Sequence, residues 1–254
     1  MEFATYPSLS GKTIFVTGGG SGIGADIVRE FCRQGAKVGF VDINREVSIS
    51  LIDELTKEGT AVPVFRECDL RDIDALKHAF SELAKSIGPA TVLVNNAARD
   101  DRHGWEDVTA EFYDERIATN LRHMFFAIQV VAPGMIEAGE GSIINMGSNS
   151  WWEAGGGMPV YTTSKAAVHG MTRSFARDLG EHRIRVNTVV PGWVMTERQK
   201  ELWVTQESMS KHLDRQCLPD PINPVYLAKM VLFLASDDSA MCTANNYMVE
   251  AGSI

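Results

Sequence analysis

Apolar residues along the chain fall alternately into short runs and into longer segments with helical spacing. The first short run, residues 12–17, ends at a cluster of glycines, and residues 23–34 then carry apolar side chains every three or four positions. A short apolar run followed by a period of about 3.6 residues predicts a buried strand and then an amphipathic helix. A second run at 37–41 completes a strand–helix–strand unit.

The same alternation continues along the rest of the chain. Further helices are predicted at 45–58, 72–87, 109–137, 159–180 and 224–235, and further strands at 61–67, 91–95, 142–148, 184–190 and 246–250. Strands that alternate with helices predict an α/β fold with a mostly parallel sheet and helices on both faces, the Rossmann-type doubly wound arrangement. Neither a linker nor a repeat interrupts the pattern, so residues 1–254 are predicted to form a single domain.

The glycine cluster lies at the first strand-to-helix turn and reads Thr-Gly-Gly-Gly-Ser-Gly-Ile-Gly over residues 17–24. Glycine lets the backbone approach a pyrophosphate closely, and the N-terminus of the following helix offers free N–H groups to the phosphate charge. Spaced glycines can also form an ordinary loop, but their place between the first strand and the first helix favours a dinucleotide site.

Asp42 ends the second predicted strand, at a position suited to the ribose of a dinucleotide. A carboxylate there accepts hydrogen bonds from the hydroxyls of the adenosine ribose and repels a 2′-phosphate. Ile43 and Asn44 bring no positive charge, and Arg45 is the nearest cation. These residues predict NAD rather than NADP as the cofactor; the alternative is an aspartate that caps the next helix.

Tyr161 and Lys165 are four positions apart within a predicted helix, so their side chains share one face. A free tyrosine has a pKa of roughly 10, and a base that acts near pH 7 needs that pKa lowered by about 3, or ~4 kcal/mol. A positive charge ~4 Å away supplies about this much at an effective dielectric constant of ~20. The pair is therefore predicted to provide a base, although the same spacing also occurs in ordinary helix pairs.

Composition narrows the range of partners. A net charge of −9 and a pI near 5.2 argue against nucleic acid or an anionic membrane as the main partner. The four cysteines are scattered and the six histidines form no ligand pattern, so we expect no metal. Residues 1–10 lack the basic and apolar regions of a secretory signal, and we expect a cytoplasmic protein.

Further motifs follow in a set order along the chain: Asp69-Leu70, Asn95-Asn96-Ala97-Ala98, Asn120, Ser148, Tyr161 with Lys165, and Pro191-Gly192 followed by Thr196. With the glycine turn and Asp42, they resemble the short-chain dehydrogenase/reductase family over essentially the whole chain. The resemblance implies that Tyr161 is the base and that Lys165 holds the nicotinamide ribose and lowers the pKa of Tyr161. It also implies that Ser148 binds the reacting oxygen and that Asn120 supports a water-linked proton relay.

The resemblance further implies which residues meet the dinucleotide. They are Gly18, Ser21, Gly22, Ile23, Gly24, Asp42, Ile43, Asp69, Leu70, Asn96, Ala97, Tyr161, Lys165, Pro191, Val194 and Thr196. Two positions depart from the family pattern: Ala98 stands where glycine is common, and Glu250-Ala251-Gly252 replaces an acidic residue followed by two glycines. We expect these departures to alter the fit of ligands rather than to abolish activity.

A narrower resemblance, over residues 96–103, 120–123 and 190–194, is to bacterial aldose 1-dehydrogenases, which oxidise D-xylose, D-galactose or L-arabinose. It implies oxidation of C1 by NAD to give an aldonolactone. Polar contacts to the sugar are expected from Ser148, Tyr161, Arg99, Asp100, His103, Asn149 and Glu153, and an apolar wall from Trp193, Trp151 or Trp152. Plainer alternatives are a solvated charge cluster at 99–102, structural roles for His103 and His123, and an interface role for Trp151 and Trp152.

Residues 196–220 form a polar insertion, predicted to be a lid over the substrate; a simple surface insertion is the alternative. The family also implies a homotetramer in which the helices near 109–137 and 159–180 pack across an interface. One rival function is reduction of a 3-oxoacyl or small ketone substrate, often with NADP, which Asp42 disfavours. A non-catalytic dinucleotide-binding regulatory module is the other, and the intact residues at 120, 148, 161 and 165 argue against it.

Overall fold

A parallel sheet of seven strands organises the computed structural model, which describes residues 2–253. The strand order is β3-β2-β1-β4-β5-β6-β7. The strands are β1 (Thr13–Thr17), β2 (Lys37–Asp42), β3 (Val64–Glu67), β4 (Val92–Asn95), β5 (Gly141–Met146), β6 (Ile184–Pro191) and β7 (Asn246–Val249). This arrangement confirms the predicted Rossmann-type α/β fold.

Helices connect the strands and cover both faces of the sheet. They are α1 (Gly22–Arg33), α2 (Arg45–Glu58), α3 (Ile73–Ile87), α4 (Ala110–Ile117), α5 (His123–Ala138), α6 (Pro159–Leu179), α7 (Glu197–Leu202), α8 (Gln206–Leu213) and α9 (Pro224–Ala235). Within residues 2–253, none of these helices has both the length and the apolar character needed to cross a bilayer.

The centre of the sheet is buried on both sides. Every residue of β1 is buried, with Ile14 and Val16 in the apolar cluster that includes α1 and α9 and Phe15 in the cluster that includes α3 and α5. Because side chains alternate across a strand, a strand buried on both faces is apolar nearly throughout. This accounts for the unbroken apolar run from which the strand was predicted.

The register of β1 determines where the ligand-binding edge lies. Thr17, the last residue of β1, lies beside Val41 of β2 and Asn95 of β4. β1 lies between β2 and β4, so the strand order reverses at β1. A crevice opens at the carboxyl ends of the strands where the order reverses. The glycine turn therefore lies next to Asp42, which ends β2, and Asn96, which follows β4.

Two elements differ from their predicted bounds by more than two residues or by an interruption. The helix predicted at 109–137 is interrupted by a π-helical turn, Ala118–Arg122, between α4 and α5. β3 begins at Val64 rather than at 61, because Pro63 has no N–H to donate to the neighbouring strand.

The C-terminal departure from the family pattern places an alanine in a left-handed conformation. Ala251 has φ +60°, and its carbonyl accepts hydrogen bonds from the N–H groups of Cys217 and Leu218. We expect Ala251→Gly to raise the free energy of unfolding by about 0.5–1 kcal/mol, because relief of the left-handed strain exceeds the added entropy of the unfolded chain. Urea unfolding measures the difference.

The matched control for this prediction is Ala240→Gly. Ala240 is exposed and has φ −53°, so glycine there only increases the freedom of the unfolded chain and lowers stability. Equal effects of the two substitutions would contradict the assignment of strain to Ala251.

Candidate active site

A cavity of about 660 Å³ opens at the carboxyl edge of the sheet. The segments that follow β1, β4, β5 and β6 all contribute to its lining, as do α6 and the insertion 196–220. Tyr161, Lys165 and Ser148 face the same space. The structure therefore brings together the predicted base, its lysine and the predicted oxygen-binding serine.

Tyr161 and Lys165 lie on one face of α6, as their spacing predicts. The Lys165 Nζ is 5.7 Å from the centre of the Tyr161 ring and donates a hydrogen bond of 2.8 Å to the carbonyl oxygen of Met146. Lys165 is almost completely buried, with 1% of its surface exposed. The carbonyl at the end of β5 thus fixes the ammonium beneath the phenol.

The pKa values of this pair differ from the simple expectation. Burial raises the pKa of Tyr161 to about 12, and the Asp100 carboxylate acts in the same direction, while Ser148 and Arg102 oppose it. Burial lowers the pKa of Lys165 to about 7. The prediction that Lys165 lowers the pKa of Tyr161 is wrong, because burial of the phenol raises that pKa.

Ser148 and Asn120, the other two predicted catalytic residues, lie on different elements. Ser148 follows β5; its hydroxyl accepts a hydrogen bond of 3.2 Å from the Ser150 N–H and lies 3.1 Å from the Ser150 hydroxyl. Asn120 lies in the π-helical turn, where its Oδ1 accepts a hydrogen bond of 2.7 Å from the Arg99 N–H. Its Nδ2 is buried and has no partner within residues 2–253. A buried donor of this kind is suited to an ordered water molecule.

The glycine turn has the shape of a pyrophosphate cradle. Gly18 has φ +64°, and a β-carbon there would lie 2.8 Å from the Ala97 Cα. The Asn96 side chain closes the turn by donating to the carbonyl oxygens of Thr17 and Gly18, at 3.2 and 2.9 Å. Ser21 precedes α1 without capping it through its side chain. The first N–H groups of α1, which include those of Gly22, Ile23 and Gly24, therefore remain available to a phosphate.

Asp42 has both carboxylate oxygens held by backbone N–H groups. Oδ2 accepts from Gly20 and Oδ1 accepts from Asn44, both at 2.9 Å. Asp42 is not the cap of α2, because the Asn44 side chain accepts from the first N–H groups of that helix. Arg45 extends toward Glu67, with 3.8 Å between Nη1 and Oε2.

The remaining predicted cofactor residues lie along the same edge. Ile43 is 60% exposed beside Asp42, and Leu70 is buried after β3. The Asp69 carboxylate accepts hydrogen bonds from the Arg71 side chain, which hold its pKa below the usual value. Thr196 lies next to the glycine turn, since a β-carbon on Gly22 would be 3.3 Å from its methyl group.

The residues predicted to meet the two halves of the dinucleotide thus lie along one edge of the sheet. Pro191 and Val194 join Ile23, Asn96, Ala98 and Thr196 in the cavity lining, where the nicotinamide half is expected. The spacing of the glycines, the uncapped helix N-terminus and the fixed Asp42 carboxylate fit a dinucleotide.

Most of the polar residues predicted to bind the sugar lie in the cavity wall, but two of them do not. Asn149 and Trp193 line the cavity, together with Asp100 and Glu153. Arg99 and His103 lie outside that lining.

The side chains of Arg99 and His103 contact other residues of the chain. Arg99 Nε pairs with Asp101 at 3.2 Å. His103 Nδ1 donates to the Asp101 carbonyl at 2.8 Å and Nε2 accepts from the Val160 N–H at 3.3 Å. Because both ring nitrogens are used, His103 secures the start of α6 instead of binding a sugar.

The two tryptophans that follow Ser148 in the chain are outside the cavity lining. Trp151 and Trp152 stack on each other with 3.7 Å between ring centres, and Trp151 Nε1 donates to His169 Nε2 at 2.9 Å. His169 in turn contacts Asn246 Oδ1 at 2.6 Å. This leaves Trp193 as the tryptophan of the cavity wall.

The insertion 196–220 contains α7 and α8 and contributes to the cavity lining. Gln199 donates to Asp100 at 2.7 Å, Arg198 pairs with Asp101, and Arg215 Nη2 lies 3.3 Å from Glu153 Oε2. Lys211, His212 and Arg215 also line the cavity and were missed from the sequence. Arg215 follows Lys211 by four residues and His212 by three, just beyond the end of α8, and this spacing was the available signal because residues three or four apart share a helix face.

The chain is similar to known proteins over nearly its whole length. Residues 18–253 match the family model described as enoyl-(acyl carrier protein) reductase. The chain is 50% identical over 253 residues to a D-xylose 1-dehydrogenase of Caulobacter vibrioides, covering 99% of each sequence. It is 45% identical over 247 residues to a probable galactose dehydrogenase of Rhizobium meliloti, covering 97% of this chain and 96% of the relative.

The fold also matches solved structures. A blue fluorescent protein from a metagenomic library, solved in complex with NADPH, superposes with a TM-score of 0.86 at 33% identity. The match covers 97% of this chain and 99% of that protein.

Proposed function

The chain belongs to the short-chain dehydrogenase/reductase family, and from this premise we propose that it oxidises an aldose at C1 to the aldonolactone with NAD. The observation that carries the proposal is the cavity in which Ser148, Tyr161 and Lys165 meet a wall containing Trp193, Asn149 and Glu153. An aromatic face suits the C–H face of a sugar, and polar groups suit its hydroxyls. The relatives named for xylose and galactose support this substrate class.

Tyr161 and Ser148 would both act on the C1 hydroxyl of the sugar. Tyr161 takes the proton of the C1 hydroxyl while Ser148 hydrogen-bonds the same oxygen. The C1–H bond breaks with its electron pair, and C1 becomes the carbonyl carbon of the lactone. When bound, the dinucleotide supplies the hydride acceptor and a positive charge that favours the phenolate of Tyr161.

The proton then leaves the buried site through Lys165 and Asn120. Lys165 has a pKa near 7, so it can both accept and release a proton at neutral pH. The unpartnered Nδ2 of Asn120 would hold a water molecule on this route. Gly18, Gly22 and Gly24 would hold the pyrophosphate, and Asp42 the adenosine ribose.

A panel of aldoses, secondary alcohols, small ketones and 3-oxoacyl thioesters, followed by NADH absorbance, tests the function. We expect NAD reduction with D-xylose, D-galactose or L-arabinose, and a lactone as the product by NMR. Turnover of the ketones or thioesters alone would favour the reductase alternative. Dinucleotide binding without turnover of any substrate would favour a regulatory module.

The cofactor preference follows from Asp42. Two N–H groups fix the Asp42 carboxylate, so its side chain cannot rotate away from a 2′-phosphate and would repel it. We expect kcat/KM with NAD to exceed that with NADP by at least about 100-fold, since juxtaposed like charges cost several kcal/mol. Asp42→Asn should reduce this ratio by about 10-fold, one decade being about 1.4 kcal/mol.

Asp53→Asn on the exposed face of α2 is the control for charge alone and should leave the ratio unchanged. The ratio cancels any general loosening of the glycine turn in the Asp42 variant. A wild-type preference for NADP would contradict the proposal.

We also propose a homotetramer in which α5 and α6 form one interface. Phe125 of α5 is 45% exposed and lies 5.2 Å, between ring centres, from Phe175 of α6. Exposed aromatic residues that span two helices are typical of subunit contacts. Light scattering of the purified protein tests this, and a monomer at micromolar concentration would contradict it.

A further inference from the structure

The loop after β4 carries two adjacent aspartates with different surroundings. Asp101 pairs with three guanidinium groups, those of Arg99, Arg116 and Arg198. Asp100 lines the cavity, and its Oδ2 accepts one hydrogen bond of 2.7 Å from Gln199 Nε2. Its nearest cation is Arg198, whose Nη2 is 4.0 Å from Oδ1, beyond hydrogen-bonding distance. Among the described residues, no group donates a hydrogen bond to Asp100 Oδ1, so this oxygen can accept one at the cavity wall.

Gln199 connects Asp100 to the aromatic wall. It is 9% exposed, its Nε2 donates to Asp100, and its Oε1 accepts a hydrogen bond of 2.8 Å from Trp193 Nε1. The amide of a glutamine supplies a donor and an acceptor but no charge. Gln199 therefore fixes the carboxylate and the indole relative to each other while leaving the negative charge of Asp100 intact.

Glu153, the other carboxylate of the wall, is more fully occupied. Its Oε1 accepts from Asn149 Nδ2 at 2.6 Å and from the Ser253 hydroxyl at 2.7 Å, and its Oε2 pairs with Arg215. Carboxylate oxygens in such a network contribute mainly to the shape of the wall. Asp100 is the carboxylate with an oxygen left for a ligand.

We propose that Asp100 is a specificity-determining residue, whose Oδ1 accepts a hydrogen bond from a ring hydroxyl of the aldose, and that Gln199 is its positioning residue. The inference rests on the proposed function. A hydroxyl that binds an otherwise unsatisfied carboxylate discriminates strongly, because a sugar without that hydroxyl leaves the charge unpaired. Through Gln199, the same contact fixes Trp193 against the sugar face.

The position of Asp100 near the reacting groups supports this assignment. After burial, its charge is the largest influence that raises the pKa of Tyr161, and it also favours the charged form of Lys165. A sugar whose hydroxyl binds Asp100 is therefore held within reach of Tyr161.

The decisive experiment combines Asp100→Ala with aldoses that lack one hydroxyl at C2, C3 or C4. In the wild type, one of these sugars should show kcat/KM lowered about 10- to 100-fold relative to the parent aldose, the range expected for a hydrogen bond to a charged group. Asp100→Ala should lower kcat/KM for the parent by a similar factor but cause no further loss with that one deoxy sugar. The KM for NAD should change less than about 3-fold, because Asp100 is proposed to contact the sugar alone.

The proposal would be overturned if the losses in kcat/KM from Asp100→Ala and from the deoxy sugar multiplied for all three sugars. It would also be overturned if Asp100→Ala changed the kinetic constants for the sugar and for NAD equally. Asp107→Ala, an exposed acid in the same loop, is the matched control and should behave as wild type. Asp100→Asn keeps an oxygen for Gln199, so it should fold like the wild type and show an intermediate loss. If the wild type oxidises no aldose, the proposed function fails; if it does but the effects multiply, only the role of Asp100 fails.

Gln199→Glu tests the positioning role separately. A second carboxylate against Asp100 should raise the KM for the aldose about 10-fold at pH 8, because two like charges in contact repel each other. The defect should lessen at pH 5, when the two carboxylates share a proton. Arg198 lies 4.0 Å from Asp100. The other charged or titratable groups in the same cavity lining are Arg102, Glu153, Tyr161, Lys165, Lys211, His212 and Arg215, and all of them are present in both proteins. Lys200→Met on the exposed side of α7 is the control, and a pH-independent KM in Gln199→Glu would overturn the positioning role.

Discussion

We expect Tyr161→Phe to lower kcat for aldose oxidation by about 1000-fold, within the range for loss of a general base. The substitution removes one hydroxyl, the group proposed to take the C1 proton, and leaves the ring that packs near Lys165. Because the lost interaction exists only in the transition state, the KM for NAD should stay close to that of the wild type. Steady-state kinetics together with NADH fluorescence titration measures both quantities.

Tyr113→Phe is the matched control, since Tyr113 is 41% exposed on α4 and loses the same atom. It should retain wild-type kcat. A Tyr161→Phe protein that kept more than about a tenth of the activity would remove the phenol from the mechanism, because even modest base catalysis contributes about 100-fold.

The pattern of the chain was sufficient to predict the sheet and the edge at which ligands bind. Buried parallel strands read as apolar runs, and the carboxyl ends of such strands meet at one edge, which places Ser148 and Asp42 there by necessity. The four-residue spacing likewise placed Tyr161 and Lys165 on one helix face. These predictions depend on local geometry alone.

The roles of His103 and Trp151 depend on contacts between distant parts of the chain. His103 contacts the start of α6, 57 residues away, and Trp151 contacts His169, 18 residues away. A polar or aromatic residue beside a predicted site has no local feature that says whether its hydrogen-bonding atoms face the site or a neighbouring element. The sequence therefore placed both near the sugar, and the structure uses them to secure α6.

The pKa of Tyr161 could not be derived from spacing, because it depends on burial. A calculation with one charge at a fixed distance includes the attraction of Lys165 but omits the loss of water around both groups. The neighbouring Asp100, which reaches the site from another loop, adds to the same error. The π-helical turn at Asn120 was missed for a similar reason, since one extra residue in a turn barely disturbs an apolar pattern over nearly thirty residues.

Gly24→Ala should be the most damaging single methyl addition in the glycine turn. Its β-carbon would overlap the carbonyl oxygen of Gly18 and lie 2.6 Å from Asn96 Nδ2. Both atoms belong to the closed turn, in which the Asn96 side chain donates to that same carbonyl, so neither can move without opening the cradle. We expect kcat/KM for NAD to fall about 100-fold, as for a displacement of ~1 Å, and the free energy of unfolding to fall by about 1–3 kcal/mol. Steady-state kinetics and isothermal titration with NAD measure the first loss, and urea unfolding measures the second.

Gly170→Ala separates this steric effect from a general effect of glycine replacement. Gly170 lies within α6, and a β-carbon there would meet nothing within 4 Å. The substitution should raise stability by roughly 0.5–1 kcal/mol, because glycine is unfavourable inside a helix, and should leave NAD binding unchanged. If Gly24→Ala bound NAD as tightly as Gly170→Ala, the close approach of α1 to the turn would not be what forms the pyrophosphate site. The helix N-terminus could then contribute only through its charge, which a methyl group does not alter.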